Sequence, residues 1–393
     1  MAIFNVINVG QGDCIMVNPP KDCTFENETI FVDLGPGKID VTKHITEDEK
    51  IHIFFTHHDN DHLEGFRFFI GRLRQVNEIT VPLYQNEITL IARAILNLKG
   101  IGESADCNEF TRALTEVVNN QIFIKTLVEG KMCECPRLSF AYEGKDFCNH
   151  IECLNPPLIL DTYNWIQEVD KNELISLMDE VFTQEFVQEM KIYISTIGNR
   201  RYNIVDSEEF NRFWLYNENE IARELGDVKC NFVLNFIMQN IQILKDFNKK
   251  SNRKNFKRIY ENYIKCTHDV CLVLKATFDD TSMLLTGDAS KKVFNRLIRK
   301  GKNISAKYLK MPHHGSKHNM DKKILDQINP QVAIISHDNG HFGSAKDTHP
   351  NQEILELLQN GKITILITND VVKNNVTIMK KHNHDKDPYV NTL

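Results

Sequence analysis

The stretch that decides the fold is Thr56-His57-His58-Asp59-Asn60-Asp61-His62, which directly follows a β-rich apolar run that begins at Ile51. A strand that leads into such a loop is a common way to present metal ligands, because imidazole and carboxylate groups suit borderline and hard divalent cations. The candidate ligands in this loop are His57, Asp59, Asp61 and His62. So many ligand-type residues at the end of a strand predict a metal site and not an ordinary polar surface loop.

Three later segments have a similar form. Met283-Leu284-Leu285-Thr286-Gly287-Asp288 is an apolar strand that ends in an acid, where a buried carboxylate could bridge two cations. Lys310-Met311-Pro312-His313-His314-Gly315-Ser316 again has the form of a strand followed by a loop, and Asp347-Thr348-His349-Pro350 opens a helix. A Gly-Asp turn or a histidine before proline is also a common surface feature. The prediction therefore depends on these segments occurring together with the first loop.

The order of short β-rich and helical runs predicts the fold class. Ile3 to Val9 and Cys14 to Val17 form a predicted hairpin around Gly10-Gln11-Gly12-Asp13. Apolar residues at helical spacing between 158 and 265 predict a helical insertion. From Val270 onward, strand and helix patterns alternate. Two sheets covered by helices fit this order, which makes the protein an α/β protein, or α+β in some schemes.

Composition sets limits on the class of protein. The 393 residues are 25% charged and 41% hydrophobic, as in soluble globular proteins. No membrane-spanning run and no signal peptide are recognisable, so we expect a cytoplasmic protein without a membrane partner. In such a chain the ten cysteines are expected to be reduced thiols. A net charge of −6 argues against a surface coated for bulk DNA binding, although a local basic groove is compatible with it.

Two further clusters of residues each allow two interpretations, one functional and one purely structural. A basic run could line a path for a nucleic-acid backbone, or it could be a solvated face: Lys249, Lys250, Arg253, Lys254, Lys257 and Arg258. A second cluster could form a structural zinc site, or its thiols could belong to the core: Cys133, Cys135, Cys148, His150 and Cys153. Core thiols are favoured because a Cys-x-Cys spacing is less typical of zinc sites than Cys-x-x-Cys.

Six motifs, in order along the chain, resemble the metallo-β-lactamase-like domain of ComEC-type DNA-uptake competence proteins. They are Asn8 to Asp13, Phe31 to Gly35, Thr56 to Gly65, Leu285 to Asp288, His313 to Ser316 and Thr348 to Pro350. The resemblance implies an αββα sandwich, with residues 1–157 and 266–393 as its two halves and 158–265 as the helical insertion. It also implies a site at one edge of the sheets. Competence proteins carry this domain on a membrane channel, which this sequence does not contain, so we expect no role in DNA uptake.

The resemblance also implies roles for the candidate residues. One cation is expected on His57, Asp59 and His268, and the other on Asp61, His62 and His349. Asp288 is expected to bridge the two cations. His268 lies in the region where general metallo-β-lactamases place a metal-binding histidine, although a polar residue at a strand entrance is the alternative. Asp59 replaces the more usual second histidine, and its oxygen favours Mn²⁺ or Mg²⁺, with Zn²⁺ also compatible.

The remaining site residues are expected to support catalysis. Asp61 is counted among the catalytic residues, and either His313 or His314 is expected to donate a proton or bind a phosphate oxygen. Asp13 and Asp33 are expected to orient ligands from behind the metal loop, with turn residues as the alternative.

Three functional hypotheses follow. The first is a metal-dependent nuclease acting on DNA or RNA, with a defence or toxin effector as its setting. The second is a phosphodiesterase or other hydrolase of small substrates such as cyclic nucleotides, and the third is a binding or scaffold protein of the same fold. Nucleic acid or a nucleotide is the expected partner, together with a protein partner through the helical insertion. The sequence does not indicate the oligomeric state.

Overall fold

The computed structural model of the protein describes residues 3–98, 108–129, 136–157, 176, 178–184, 187–188, 232–233, 236–237, 239–247, 253–338, 349–373, 376–379 and 390–392. The chain divides into two compact units. One comprises Met1–Gln85, Asn120–Pro157 and Thr267–Leu393, and the other comprises Asn86–Asn119 and Leu158–Cys266. Most of the predicted helical insertion lies outside the described residues, so the predicted division along the chain stays a prediction.

Seven strands form the first sheet of the first unit. In spatial order they are β16 (Val390–Thr392), β1 (Ile3–Ile7), β2 (Ile15–Asn18), β3 (Glu28–Val32), β4 (Lys50–Phe54), β5 (Val76–Pro82) and β6 (Arg137–Ala141). Strands β3 to β6 run parallel to one another, whereas β16, β1, β2 and β3 pair antiparallel. The predicted hairpin of β1 and β2 is confirmed, with Ile3 opposite Asn18.

The second sheet repeats this mixed pattern. In spatial order its seven strands are β13 (Thr364–Ile367), β12 (Val332–Ile335), β11 (Tyr308–Lys310), β10 (Thr281–Leu285), β9 (Val273–Phe278), β8 (Ile151–Asn155) and β7 (Asp146–Cys148). Strands β10 to β13 are parallel, and β7 to β10 are antiparallel. A separate ribbon pairs β14 (Val371–Lys373) with β15 (Val376–Met379). The predicted α/β class is confirmed.

Helices connect and cover these strands. The α-helices are α1 (Asn60–Leu63), α2 (Gln85–Leu96), α3 (Asn108–Glu129), α4 (Ile241–Phe247), α5 (Arg253–Asp269), α6 (Lys291–Arg299), α7 (Lys322–Ile328) and α8 (Gln352–Asn360). 3₁₀ helices, which have fewer residues per turn, span Val41–His44, Glu64–Gln75 and Pro312–Gly315. Among the described residues, no helix is both long and apolar enough to cross a membrane.

Three apolar clusters order the layers of the first unit. Between the sheets, Phe4 of β1 packs on Phe278 of β9, with ring centroids 5.6 Å apart. On the outer face of the first sheet, Phe69 of a 3₁₀ helix packs edge-on against Phe31. Helices α6, α7 and α8 cover the outer face of the second sheet, with Phe294 of α6 buried in that cluster. The order is therefore helices, sheet, sheet, helices.

In the second unit, α5 buries a stripe of residues at helical spacing. Phe256, Ile259 and Tyr263 are buried, while Lys257 and Arg258 are exposed. Phe110 of α3 packs on Tyr260, with ring centroids 4.7 Å apart. This amphipathic spacing explains why the segment is helical.

The carboxyl ends of β3 and β4 lie at one edge of the first sheet, because these strands are parallel neighbours. In the second sheet β10 and β11 are also parallel neighbours. The loops that follow these four strands come together at that edge, as described next. Ligand sites of α/β proteins commonly lie outside the carboxyl ends of strands.

Candidate metal centre

Asp33 fixes the histidine-rich loop that follows β4. Its carboxylate accepts hydrogen bonds from the backbone N–H of Thr56 at 2.8 Å and from the Thr56 hydroxyl at 2.7 Å. It also lies 2.7 Å from Nδ1 of His62. Because an ionised carboxylate only accepts, the proton lies on Nδ1 and the Nε2 atom of neutral His62 is left as a ligand atom. Asp33 therefore lies behind the loop and is hydrogen-bonded to Thr56 and His62, and its predicted role in orienting a metal ligand stays a prediction.

One group of candidate ligands consists of His57, His268 and Asp288, all buried. Oδ2 of Asp288 lies 3.7 Å from Nε2 of His57 and 3.9 Å from Nε2 of His268. Oδ2 of Asp59 lies 3.4 Å from the same His57 nitrogen. His268 comes from the last turn of α5, not from a strand entrance. The structure therefore brings together the residues expected around one cation, and this group could hold a divalent ion.

A second group consists of Asp61, His62 and His314. Nε2 of His314 lies 3.1 Å from Oδ2 of Asp61, and its Nδ1 lies 3.0 Å from the backbone oxygen of Ser336. From the sequence, His349 was expected in this group, and either His313 or His314 was expected to donate a proton or bind a phosphate oxygen. The His349 ring lies beside that of His313, with centroids 4.7 Å apart, and its assignment to the second cation stays a prediction. Asp347 and Thr348 of that motif lie outside the described residues.

The loop after β11 gives its two histidines unusual backbone conformations. His313 and His314 both adopt left-handed backbone conformations, with φ of 49° and 53°. Non-glycine residues rarely do so, and such conformations are concentrated at functional sites. His314 is fully buried, whereas the side chain of His313 is 25% exposed. The two adjacent histidines therefore point in different directions, His314 into the buried interior and His313 towards the partly exposed side of the site.

The carboxylate of Asp288 lies between the two groups. Its Oδ1 is 3.4 Å from Nε2 of His62, while its Oδ2 is 3.7 Å from Nε2 of His57. The preceding residue must be small, because a Cβ at Gly287, where φ is 47°, would lie 2.6 Å from the Thr56 hydroxyl oxygen. Asp288 therefore has one oxygen available for each group.

Hydrogen bonding within the site supports a bound cation. Nε2 of His57, Nε2 of His62 and Oδ1 of Asp288 are buried and make no hydrogen bond of regular geometry. A buried polar atom without a partner costs about 1–3 kcal/mol, so several such atoms facing one another indicate a missing ligand. The donor set of imidazole and carboxylate groups fits a divalent metal.

A third group of residues that could hold a metal ion consists of Asp13, Asp33 and His62. The carboxylate of Asp33 is occupied by Thr56 and His62, as described above. Oδ2 of Asp13 forms an ion pair with the buried Nζ of Lys310 at 2.7 Å. Lys310 also donates to the backbone oxygen of Met311. Lys310 was not recognised from the sequence, although a lysine inside an apolar strand was a signal.

The pKa values of the histidines in the site are shifted by burial and by the charged groups around them. Burial lowers the pKa of His62, but Asp33, Asp288 and Asp61 outweigh it and raise that pKa well above its usual value. The pKa of His57 is raised as well, because Asp59 outweighs burial and the neighbouring His62. Burial and the nearby His313 instead lower the pKa of His268 to about 3. Without cations, protons on His57 and His62 compensate the carboxylate charge.

Asn319 orients His313 and was missed by sequence reasoning. Its Nδ2 donates to the backbone oxygens of Asp288 at 3.0 Å and Ala289 at 3.1 Å. The Oδ1 atom of Asn319 is then the acceptor for Nδ1 of His313, at 3.2 Å. Nε2 of His313 therefore faces the site, 3.6 Å from Oδ2 of Asp288. Nothing in the local sequence singles out this asparagine.

The basic run is only partly described. Lys249, Lys250 and the side chain of Arg253 lie outside the described part of the chain. Lys254, Lys257 and Arg258 are exposed on α5, and these three residues belong to the second unit. The nucleic-acid path stays a prediction.

The cysteine cluster is also only partly described. Cys133 and Cys135 lie outside the described residues. The thiol of Cys153 donates to the backbone oxygen of Asn155, and Cys148 contacts Cys23. Within the described part of the chain, no group of potential metal ligands includes Cys148, His150 or Cys153.

The comparisons with known proteins agree with one part of this picture. No model of a known protein family matches the sequence. The chain is 36% identical over 97 residues to ComE operon protein 3 of Bacillus subtilis (strain 168). The match covers 25% of this chain and 12% of that relative's length. A quarter of this chain is therefore similar to ComE operon protein 3. The histidine and aspartate groups described above are a separate observation that is compatible with this similarity.

Proposed function

We propose that the protein is a metal-dependent hydrolase of phosphodiester bonds with a metallo-β-lactamase αββα fold, and that it acts as a nuclease. The observation that carries the proposal is the position of Asp288, which offers one carboxylate oxygen to each of two buried ligand groups. The layer order of the first unit and the partial similarity to ComE operon protein 3 support it.

Two sets of side chains would hold the cations. The first is His57, Asp59 and His268, the second is Asp61, His62 and His314, and Asp288 is shared. Divalent cations bound there would neutralise charge on the scissile phosphodiester and activate the attacking water. The oxygen of Asp59 favours Mn²⁺ or Mg²⁺ over Zn²⁺ in the first set.

The protein's own residues have separable roles in this proposal. His313 is partly exposed and fixed by Asn319, so it is the histidine that contacts the phosphodiester. His314 is sealed, with Nδ1 at the Ser336 carbonyl and Nε2 at Asp61, so it holds the second set together and does not donate to the substrate. In this proposal His313, and not His314, is the histidine that acts on the substrate.

The test is hydrolysis by the purified full chain. Single- and double-stranded DNA, RNA, cyclic nucleotides and bis-p-nitrophenyl phosphate are incubated with Mn²⁺, Mg²⁺ or Zn²⁺. Asp288→Asn removes the shared carboxylate charge without changing its shape. Asp326→Asn is the matched control, because Asp326 is an exposed aspartate paired with Lys322.

We expect cleavage by the wild type and by Asp326→Asn, and loss of cleavage in Asp288→Asn. Cleavage of cyclic nucleotides but not of polynucleotides would replace the nuclease with a small-substrate phosphodiesterase. Equal activity in Asp288→Asn, or no cleavage with any metal, would contradict the proposal.

A further inference from the structure

The turn between β2 and β3 lies along the β7–β8 hairpin. The β7–β8 hairpin belongs to the second sheet and the turn to the first, and both lie at the end of the strands opposite the candidate metal centre. Three consecutive residues of the turn contact the hairpin: Asp22 Oδ2 is 3.2 Å from His150 Nε2, Cys23 Sγ is 2.9 Å from Cys148 Sγ, and Thr24 donates to the Phe147 carbonyl at 3.1 Å. The contacts on both sides hold the two sulfur atoms in place.

The two thiols are enclosed by the core between the sheets. Cys23 is 4% exposed and Cys148 is 6% exposed. Phe147 packs edge-on against Phe54, with centroids 4.9 Å apart, and Phe25 packs on His52 at 4.8 Å. Both cysteines are free thiols in the structure, yet at 2.9 Å their sulfur atoms are closer than unbonded sulfur atoms normally rest.

We propose that Cys23 and Cys148 form a structural disulfide that joins the two sheets. Each thiol loses its proton, and the two electrons released pass to a small-molecule disulfide such as oxidised glutathione. The S–S bond of that oxidant breaks, and the two protons and two electrons convert it into two thiols. Both cysteines are reduced in the structure, as predicted from the sequence, and the disulfide is the oxidised state of the same pair.

A zinc site at the same position is disfavoured by the neighbouring imidazole. Nδ1 of His150 bonds the backbone oxygen of Thr277 at 3.0 Å, and its Nε2 bonds Asp22. Both ring nitrogens are therefore engaged. Two sulfur atoms alone do not provide the four ligands that a structural zinc site requires.

The position of the pair determines its effect. The bond would close a loop that begins at Cys23 and ends at Cys148, and closing a long loop restricts the unfolded chain more than closing a short one. Burial and the neighbouring Cys148 thiol raise the pKa of Cys23 to about 12, which makes its sulfur a poor leaving group when an external thiolate attacks the disulfide. The disulfide is therefore a slow-exchanging link, and metal binding at the opposite edge is unaffected by it.

The test compares reduced and glutathione-oxidised samples of the full-length protein. Remaining thiols are blocked with N-ethylmaleimide under denaturing conditions, and the chain is digested and mapped by mass spectrometry. We expect a peptide pair that links Cys23 to Cys148 in the oxidised sample and disappears on reduction. Oxidation should raise the Tm by roughly 5–10 °C.

Three variants complete the design. Cys23→Ser and Cys148→Ser should abolish both the linked peptides and the Tm shift. Cys153→Ser is the matched control, because Cys153 is a buried thiol on the adjacent strand and a serine there retains the donor to Asn155. Full alkylation of both cysteines in the oxidised wild type, a link from either of them to another cysteine, or a zinc ion retained on the pair would overturn the proposal. None of these results depends on hydrolytic activity, so they leave the proposed function independently testable.

Discussion

The side chains at both ends of the sheets are buried, but the two ends differ in how their polar groups and sulfur atoms find partners. At the end where β4 and β10 terminate, imidazole and carboxylate atoms face one another, and several of them lack a hydrogen bond. At the other end, where the β2–β3 turn meets β7, the thiols and aromatic rings contact one another directly. The first end could therefore hold cations, whereas the second is held together by contacts between its own side chains. Variants at the first end should change metal binding, and variants at the second should change stability alone.

Asp288→Asn should have the largest effect. Loss of the shared carboxylate charge should lower kcat/KM by more than about 100-fold, since changes to residues that only support a ligand already cost about 10–100-fold. Steady-state hydrolysis of bis-p-nitrophenyl phosphate in Mn²⁺ measures this. A decrease of less than tenfold in kcat/KM would show that Asp288 contributes no more to hydrolysis than any other buried acid, and it would contradict the prediction.

Asp33→Asn should weaken metal binding by about 10–100-fold, because asparagine has one acceptor oxygen. It cannot accept from the Thr56 N–H on one side and from the Thr56 hydroxyl and His62 on the other. Calorimetric titration with Mn²⁺ gives the affinity. The matched variant at the opposite end is Thr24→Val, which removes the hydrogen bond to Phe147 and should leave the affinity unchanged. Equal losses of Mn²⁺ affinity in both variants would show that the affinity depends on the overall stability of the fold and not on the orientation of the ligands by Asp33.

The stability of the metal-free protein should fall as the pH rises above about 6.5. The folded pKa values of His57, His62 and His314 are raised, so the stability they contribute is present below the unfolded value of about 6.5 and is lost as the pH passes through the folded values. Melting in EDTA between pH 7 and 9 tests this. Cations compete with these protons, so the stabilisation by Mn²⁺ should grow over the same range. A metal-free Tm that rises with pH would contradict the protonated cluster.

The smallest effect is expected at His52, between the sheets. Burial lowers its pKa to about 4, so the folded protein holds it neutral and loses stability as the pH falls from about 6.5 towards 4. His52→Gln can keep the hydrogen bond to Thr80 and does not titrate. Relative to the wild type, the variant should therefore gain about 2 kcal/mol between pH 7 and pH 5. Urea unfolding measures this gain, and Mn²⁺ affinity should not change.

Local patterns explain which features could be predicted from the sequence. The β1–β2 hairpin follows from two β-rich runs around a glycine-containing turn, and the loop from Thr56 to His62 follows from its density of ligand-type residues. Asp33 was expected to orient a ligand from behind the loop, because carboxylates behind metal ligands often have that role. These features depend on neighbouring residues, so the sequence shows them directly.

Tertiary contacts explain what could not be predicted. The placement of His314 beside Asp61 depends on two consecutive left-handed residues, which no local rule predicts for His-His. A polar residue at a strand entrance was the alternative for His268, because the sequence pattern did not show that α5 continues to Asp269. Asn319 acquires its role only when its amide reaches the carbonyl of Asp288.

The most direct test of the central claim is anomalous X-ray diffraction from crystals of the full chain grown with Mn²⁺. The account predicts two anomalous peaks about 3.5–4 Å apart, one on each side of the Asp288 carboxylate. One peak should lie against His57 and His268, and the other against Asp61, His62 and His314. A single peak between Asp13 and Asp33, or no peak near Asp288, would contradict the claim that this aspartate joins two metal sites.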